Sequence, residues 1–203
     1  MISIIDYGCG NIKAIINVYH SLNVPVLVAQ KKEHIKESSK LILPGVGAFD
    51  HVIKSFNSSG FREIVEKKVL EDKTPILGIC SGMQIMADAS EEGKELGLGW
   101  IPGNVLLFNK DQIPFETKYP HMGWNKVTSL NETLFKNIDD GSRFYFVHSY
   151  YFSENNSDHA IAKTSYGMTF TSALSNNNIY GVQFHPEKSH DNGIKLLSNF
   201  SNL

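Results

Sequence analysis

The stretch from Thr74 to Gln84 constrains this chain most. A short apolar run, Pro75-Ile76-Leu77, leads into Gly78-Ile79-Cys80-Ser81-Gly82 and then into a helix-like Met83-Gln84-Ile85-Met86-Ala87. This is the strand-to-helix elbow pattern of glycine, spacer, nucleophile, spacer, glycine, with cysteine in the place of serine. In so tight a turn, side chains at positions 78 and 82 would collide with neighbouring backbone. The residue between them is lifted clear at a helix N-terminus, where the dipole favours a thiolate. The same residues also suit a buried, inert cysteine at the end of a core strand. What else the chain brings to Cys80 decides between the two.

Upstream of the elbow, strands and helices alternate. Ile2-Ser3-Ile4-Ile5 predicts a strand ending in the turn Asp6-Tyr7-Gly8-Cys9-Gly10-Asn11, and Ile12, Ile15, Ile16, Tyr19 and Leu22 then share one helix face. Val24–Ala29 and Lys40–Leu43 read as further strands, the latter running into Pro44-Gly45-Val46-Gly47-Ala48-Phe49. Helical segments are expected over 50–56 and 61–70, before the strand at 75–79. Near-continuous apolar strands separated by helices read as a parallel sheet covered on both faces. From Asn104 onward shorter strands are expected, at 105–108, 143–147, 159–162, 168–174 and 179–184, with a short helix opening at Asn131 and a helix over 191–200. The expected fold class is α/β: an open, mostly parallel twisted sheet flanked by helices, with a smaller antiparallel sheet from the C-terminal half. No linker or repeat divides residues 1–203, so a single domain is expected.

Bulk properties exclude several classes. With 41% hydrophobic and 20% charged residues the chain has an ordinary globular composition, and its net charge of -2 lacks the basic excess that nucleic acid would require. Two cysteines, Cys9 and Cys80, make no disulfide framework and no C-x-x-C pair. No apolar run approaches a membrane span and no signal peptide is evident, so a reducing cytoplasm is the expected compartment. Gly8-Cys9-Gly10-Asn11 has the setting of an anion loop, after a strand and before a helix. Lys13 stands where the third glycine of a dinucleotide fingerprint would fall, which favours a structural or partner-contacting turn.

A cysteine nucleophile needs a base, and the base an orienting group. Of eight histidines, His20, His34, His51 and His159 lie in polar, surface-like surroundings. His185 differs, because it closes the apolar run Gly181-Val182-Gln183-Phe184 and precedes Pro186, which holds it extended. That places the imidazole at the strand ends of an open α/β sheet, where ligands bind. Glu187, two residues on, points the same way in extended geometry and can orient the imidazole. Taken bare, the pair also suits a structural His-Pro turn with a solvated glutamate. It lacks H-E-x-x-H spacing, so no metal site is indicated, and no cofactor is expected.

Together, Gly78-Ile79-Cys80-Ser81-Gly82-Met83-Gln84 and Phe184-His185-Pro186-Glu187 resemble the class I (triad-type) glutamine amidotransferases. The turns at 6–11 and 44–49, with Pro120-His121-Met122-Gly123-Trp124-Asn125, Phe146-Val147-His148-Ser149-Tyr150 and His185-Pro186-Glu187-Lys188-Ser189, are similar to the glutaminase subunits of imidazole glycerol phosphate synthase. The motifs run in the family's order over essentially the whole chain. The resemblance implies a flavodoxin-like core, Cys80 as nucleophile attacking glutamine, His185 as base and Glu187 as its orienter. It implies backbone oxyanion donors at Ser81 and at Val46 or Gly47, and glutamine held by Gln84 and the Ser149-Tyr150 backbone. It implies, as partner, a HisF-type (β/α)8 cyclase subunit that receives the ammonia, with Asn11, Trp124, Tyr145 and Lys188 in motifs of the docking face. An exposed Trp124 and Tyr145 would suit an interface, and otherwise they are core aromatics.

The chain departs from the family's pattern in three places. Ser81 stands where leucine is usual, Cys9 replaces an aliphatic residue, and His190 follows Ser189 where a small or acidic residue is commoner. These details also resemble paralogues that feed ammonia to a sugar amidotransferase in surface-polysaccharide pathways. A catalytically silent scaffold is a further reading, against which the intact Cys80, His185 and Glu187 argue.

Overall fold

Alternating strands and helices build the first half: β1 (Ile2–Ile5), α1 (Ile12–Ser21), β2 (Val26–Ala29), α2 (Lys32–Lys36), β3 (Lys40–Gly45), α3 (Phe49–Ser58), α4 (Arg62–Glu66), β4 (Ile76–Cys80) and α5 (Ser81–Gln84). The second half adds β5 (Ala89–Ser90), β6 (Gly103–Leu107), β7 (His121–Lys126), β8 (Thr128–Ser129), α6 (Glu132–Phe135), β9 (Arg143–His148), β10 (Tyr150–Glu154), β11 (Ala160–Tyr166), β12 (Met168–Asn176), β13 (Ile179–Val182) and α7 (His190–Ser201). This computed structural model describes residues 1–116, 118–129 and 132–203. Asn131, where the short helix was expected to open, lies outside the described residues.

The main sheet has eight strands in the order β2-β1-β3-β4-β13-β12-β11-β8. The first five are parallel, in the flavodoxin-type order, and β12, β11 and β8 continue the same sheet antiparallel. Alternate residues of the parallel strands feed opposite faces. Leu41 and Leu43 pack with Phe49, Phe56 and Trp100, while Ile42 and Ile79 pack with Tyr19, Phe184 and Leu197. Burial on both faces is why these strands read as unbroken apolar runs. Two small sheets lie apart: β10-β6-β5, and the antiparallel ribbon β7-β9.

Two features differ from expectation. The ribbon strand β7 and the strand β10 fall in segments read only as motifs. His-Met-Gly-Trp-Asn-Lys carries a mid-strand glycine, and among the described residues it pairs with β9 alone. The helix after Cys80 is a single turn that starts at Ser81 and stops before Ile85. The carbonyls of Ile85, Met86 and Ala87 instead accept from the backbone N–H groups of Leu98, Trp100 and Gly99, so a crossing segment captures what a longer helix would have used. A one-turn helix carries little macrodipole, and the electrostatic support for a thiolate has to come from elsewhere.

Candidate active site

Parallel strands that end together create the site. Gly45 lies beside Cys80 in the β3–β4 register, and Val182 beside Ile79 in the β13–β4 register. The turn after β3, the elbow after β4 and the segment after β13 therefore meet at one edge of the sheet. Cys80 has φ 54 and ψ -116, a left-handed conformation that costs a non-glycine residue energy and recurs at functional sites. Three glycines permit it. A Cβ at Gly82 would lie 2.0 Å from the Leu43 carbonyl oxygen, one at Gly78 2.8 Å from the Met83 Cα, and one at Gly45 2.1 Å from the Gly82 nitrogen. The thiol is not lifted into solvent. Cys80 is 5% exposed, at the floor of a cleft of about 290 Å³ that His185 also lines.

His185 is held on both sides. Its N–H donates to the Tyr145 carbonyl at 2.9 Å, and its carbonyl accepts from the Ser189 hydroxyl at 2.6 Å. The same Ser189 oxygen accepts the Tyr145 N–H at 3.0 Å, tying the turn to β9. The imidazole Nδ1–H donates to Glu187 Oε1 at 2.8 Å, and both side chains are almost completely buried. The expected pair is present, but extended geometry is not what joins it. His185 itself is extended, and Pro186–Lys188 then forms a 3-10 turn that folds the carboxylate back. Asn11 Nδ2 approaches the same Oε1 at 3.4 Å, so the glycine-rich turn after β1 reaches the Glu187 carboxylate.

Burial works against a charged His185. Hydrogen bonds to Cys80 and Glu187, and the negative charge of both, overcome it and push the imidazole up to about 10. The nucleophile candidate and the base candidate thus line one cleft, with the carboxylate of Glu187 behind the imidazole.

The turn carrying Val46 and Gly47 is anchored at both ends. The Tyr7 hydroxyl donates to the Pro44 carbonyl, and the Ser81 hydroxyl donates to the Gly47 carbonyl at 2.8 Å. The unusual serine is therefore a tether between elbow and turn, beyond any change in packing under the elbow. Gly47 has φ 117, which only glycine adopts without strain.

Gln84 is 3% exposed and uses both amide hydrogens inside the protein, on the Tyr150 carbonyl and on Gln183 Oε1, each at 3.0 Å. Its oxygen is the polar atom left for the cleft. Gln183 in turn points its Nε2 at Cys80 Sγ, 3.8 Å away. The Tyr150 carbonyl is saturated, because His148 Nδ1 also donates to it at 2.7 Å. Glu92 lines the cleft opposite, with one oxygen accepting the Phe49 N–H at 2.8 Å. Sequence reading missed Gln183, Ser189, Glu92 and His148. Gln183 offered a signal, as a polar residue inside an apolar strand, and Glu92 offered none. Of the histidines set aside, His20 and His51 are exposed, and His34 and His159 are half-buried.

Trp124, Tyr145, Lys188 and His190 gather on one outer surface. Trp124 is 44% exposed, its ring 6.1 Å from that of Tyr145 and stacked on His190 at 5.0 Å, and Lys188 lies over the Tyr145 ring. Asn11 is half-buried at the edge of this surface, beside Glu187.

Residues 3–202 match the family described as glutamine amidotransferase class-I. Imidazole glycerol phosphate synthase subunit HisH of Bdellovibrio bacteriovorus is 50% identical over the full length of both chains, and the protein of that name in Leptospira borgpetersenii is 48% identical over the same span. Among solved structures, a glutamine amidotransferase superposes with a TM-score of 0.75 at 17% identity, covering 98% of each chain. PurLQS from Thermotoga maritima gives 0.69 at 19%, covering 99% of this chain and 97% of that one, and so shares the fold. The chain belongs to the class I glutamine amidotransferases and, within them, to the HisH family of enzyme subunits.

Proposed function

We propose that residues 1–203 act as one glutaminase unit, hydrolysing L-glutamine to glutamate and ammonia through Cys80, His185 and Glu187. The observation that carries this is the Glu187–His185 hydrogen bond, with His185 and Cys80 lining one cleft sized for a single amino acid. His185 takes the Cys80 thiol proton, and the sulfur attacks the side-chain carbonyl carbon of glutamine. Backbone N–H groups at Ser81 and at Val46 or Gly47 receive the oxyanion. Collapse of the tetrahedral intermediate breaks the C–N bond, the nitrogen takes the proton from His185, and ammonia leaves. Acylation also removes the sulfur's charge from beside His185, so the imidazolium becomes a better acid when the leaving group needs it. Water, activated by the now neutral His185, then hydrolyses the thioester to glutamate.

Charge accounting supports one pose for the rest of the substrate. The Tyr150 carbonyl is saturated and the Ser149 carbonyl already accepts from the Phe108 N–H, so that dipeptide offers N–H groups to the substrate's α-carboxylate. Glu92 receives the α-ammonium, and the Gln84 oxygen accepts an N–H of the substrate.

The ammonia passes to a HisF-type (β/α)8 cyclase subunit, which uses it to form imidazole glycerol phosphate and the aminoimidazole ribotide of histidine synthesis in the cytoplasm. The exposed Trp124, with Met122 and Phe115 at 61% and 53% exposure, borders an open groove of about 550 Å³, an apolar surface suited to that docking. The test is glutamate release from glutamine with and without the cognate barrel subunit. Weak activity alone, strong activity in the complex, and a loss of about 10⁴–10⁶ in Cys80→Ala are expected. Full turnover by Cys80→Ala would sink the reading, and complementation of a histidine auxotroph tests the acceptor.

A further inference from the structure

At the wall of the glutamine pocket, and just behind it, lie two imidazoles that the mechanism above does not use. His121 on β7 and His148 on β9 are direct cross-strand partners, 3% and 7% exposed. His121 is sandwiched between the rings of Phe146 and Tyr166, each at an interplanar angle of 25°. His121 Nδ1 lies 3.0 Å from His148 Nε2, and Asn125 Nδ2 lies 3.0 Å from His121 Nε2.

One end of this chain sets every hydrogen in it. The Tyr150 carbonyl can only accept, so His148 Nδ1 must carry a hydrogen. Burial pushes His148 down to about 3 and His121 down to about 4, so both rings are neutral at pH 7 and each has one bare nitrogen. For His148 that nitrogen is Nε2, and it accepts from His121 Nδ1–H. The bare Nε2 of His121 then accepts from Asn125, whose other amide hydrogen goes to the Ser165 carbonyl at 2.9 Å. Beyond Tyr150 the order continues without a free choice. Gln84 donates to the same carbonyl and to Gln183, and Gln183 donates toward Cys80 Sγ. Donor and acceptor are thus assigned from the ribbon to the nucleophile.

We propose that His121 and His148 are positioning residues of the glutamine pocket, locking the Tyr150 carbonyl in their Nδ1–H tautomers and thereby presenting the Gln84 oxygen to the substrate. Reversing the tautomers would take the His148 hydrogen off the Tyr150 carbonyl and loosen the bond that holds the Gln84 amide hydrogens inward. The fixed tautomer also keeps His148, although it lines the cleft, from competing with His185 as a base. The inference rests on glutamine being the ligand of this cleft.

Two variants test this in the complex with the barrel subunit. His121→Phe keeps the ring stack and removes the Nδ1 donor, whereas His121→Asn keeps an amide donor near the Nδ1 position. Loss of one hydrogen bond to a positioned group predicts a KM for L-glutamine raised about tenfold in His121→Phe, with kcat within about threefold, and recovery of most of that loss in His121→Asn. A merely structural role would lower thermal stability and leave KM alone, so an unchanged KM in His121→Phe overturns the proposal, as does failure of His121→Asn to recover. Ring ¹⁵N spectra of the unmodified chain test it without any variant folding. Two neutral Nδ1–H imidazoles are expected at pH 7, and an Nε2–H signal for His148 overturns it. If the unmodified complex releases no glutamate from glutamine, the glutaminase reading fails instead, and the spectra still report the tautomers.

Discussion

His185 and His148 line the same cleft, both are buried, and their proton affinities are driven in opposite directions. His185 is pushed up to about 10 and His148 down to about 3. Burial acts alike on the two, disfavouring the imidazolium in each. The difference is the charge of the partners. His185 touches a carboxylate and shares its cleft with the Cys80 thiol, whereas His148 touches a carbonyl and a second imidazole. Burial by itself makes a histidine an inert hydrogen-bonding strut. Burial against a carboxylate raises its proton affinity instead. Two roles follow from one residue type in one pocket.

Glu187→Gln should break the contrast most severely. It preserves shape and an acceptor while deleting the charge that lifts His185. A fall of about 10²–10⁴ in kcat is expected, together with a large downward move of the His185 titration followed by NMR. Unchanged titration would mean that the carboxylate is not what distinguishes the two histidines.

The neutral pair makes a second prediction, in stability. A histidine whose folded proton affinity lies below its unfolded value of about 6.5 stabilises the fold fully above that pH. The contribution is lost as pH falls from about 6.5 towards 4 and 3, because the unfolded chain binds the protons that the folded chain refuses. Thermal unfolding should therefore show Tm falling by roughly 10–25 °C between pH 7 and pH 4, with a smaller fall in His121→Phe. Equal falls in both would show that other groups dominate acid sensitivity. His185 has the opposite sign, since its stabilising protonation is complete below about 6.5 and disappears only as pH rises through about 10.

The mildest effect is expected from Ser81→Ala. It removes the hydroxyl that tethers the Gly47 carbonyl and leaves the Ser81 backbone donor in place. A loss of about threefold to tenfold in kcat, with little change in the His185 titration, would place Ser81 outside the charge contrast.

Much of this site was legible from residue order. The two glycines around Cys80 could be read because steric exclusion is local. The His185–Glu187 pair could be read because two residues of separation allow few geometries, though the turn that joins them is 3-10 and not extended. Asn11 was read as a docking residue, and its reach to Glu187 was invisible because it spans 176 positions of sequence. The shortness of α5 was invisible too, because its end is set by the downstream amides of Leu98, Gly99 and Trp100, which no local helix signal encodes.

By itself the sequence determined the alternation that makes a parallel sheet, the elbow, the identity of the nucleophile and base candidates, and the family. Those depend on periodicity, backbone sterics and residue chemistry, all carried within a few neighbouring positions. Only the tertiary structure decided which histidine's proton affinity is raised and which is lowered, that Ser81 ties two turns together, and that Gln84 turns its amide hydrogens inward. Each of these depends on which groups from distant strands meet in a space too dry to supply water as a substitute partner.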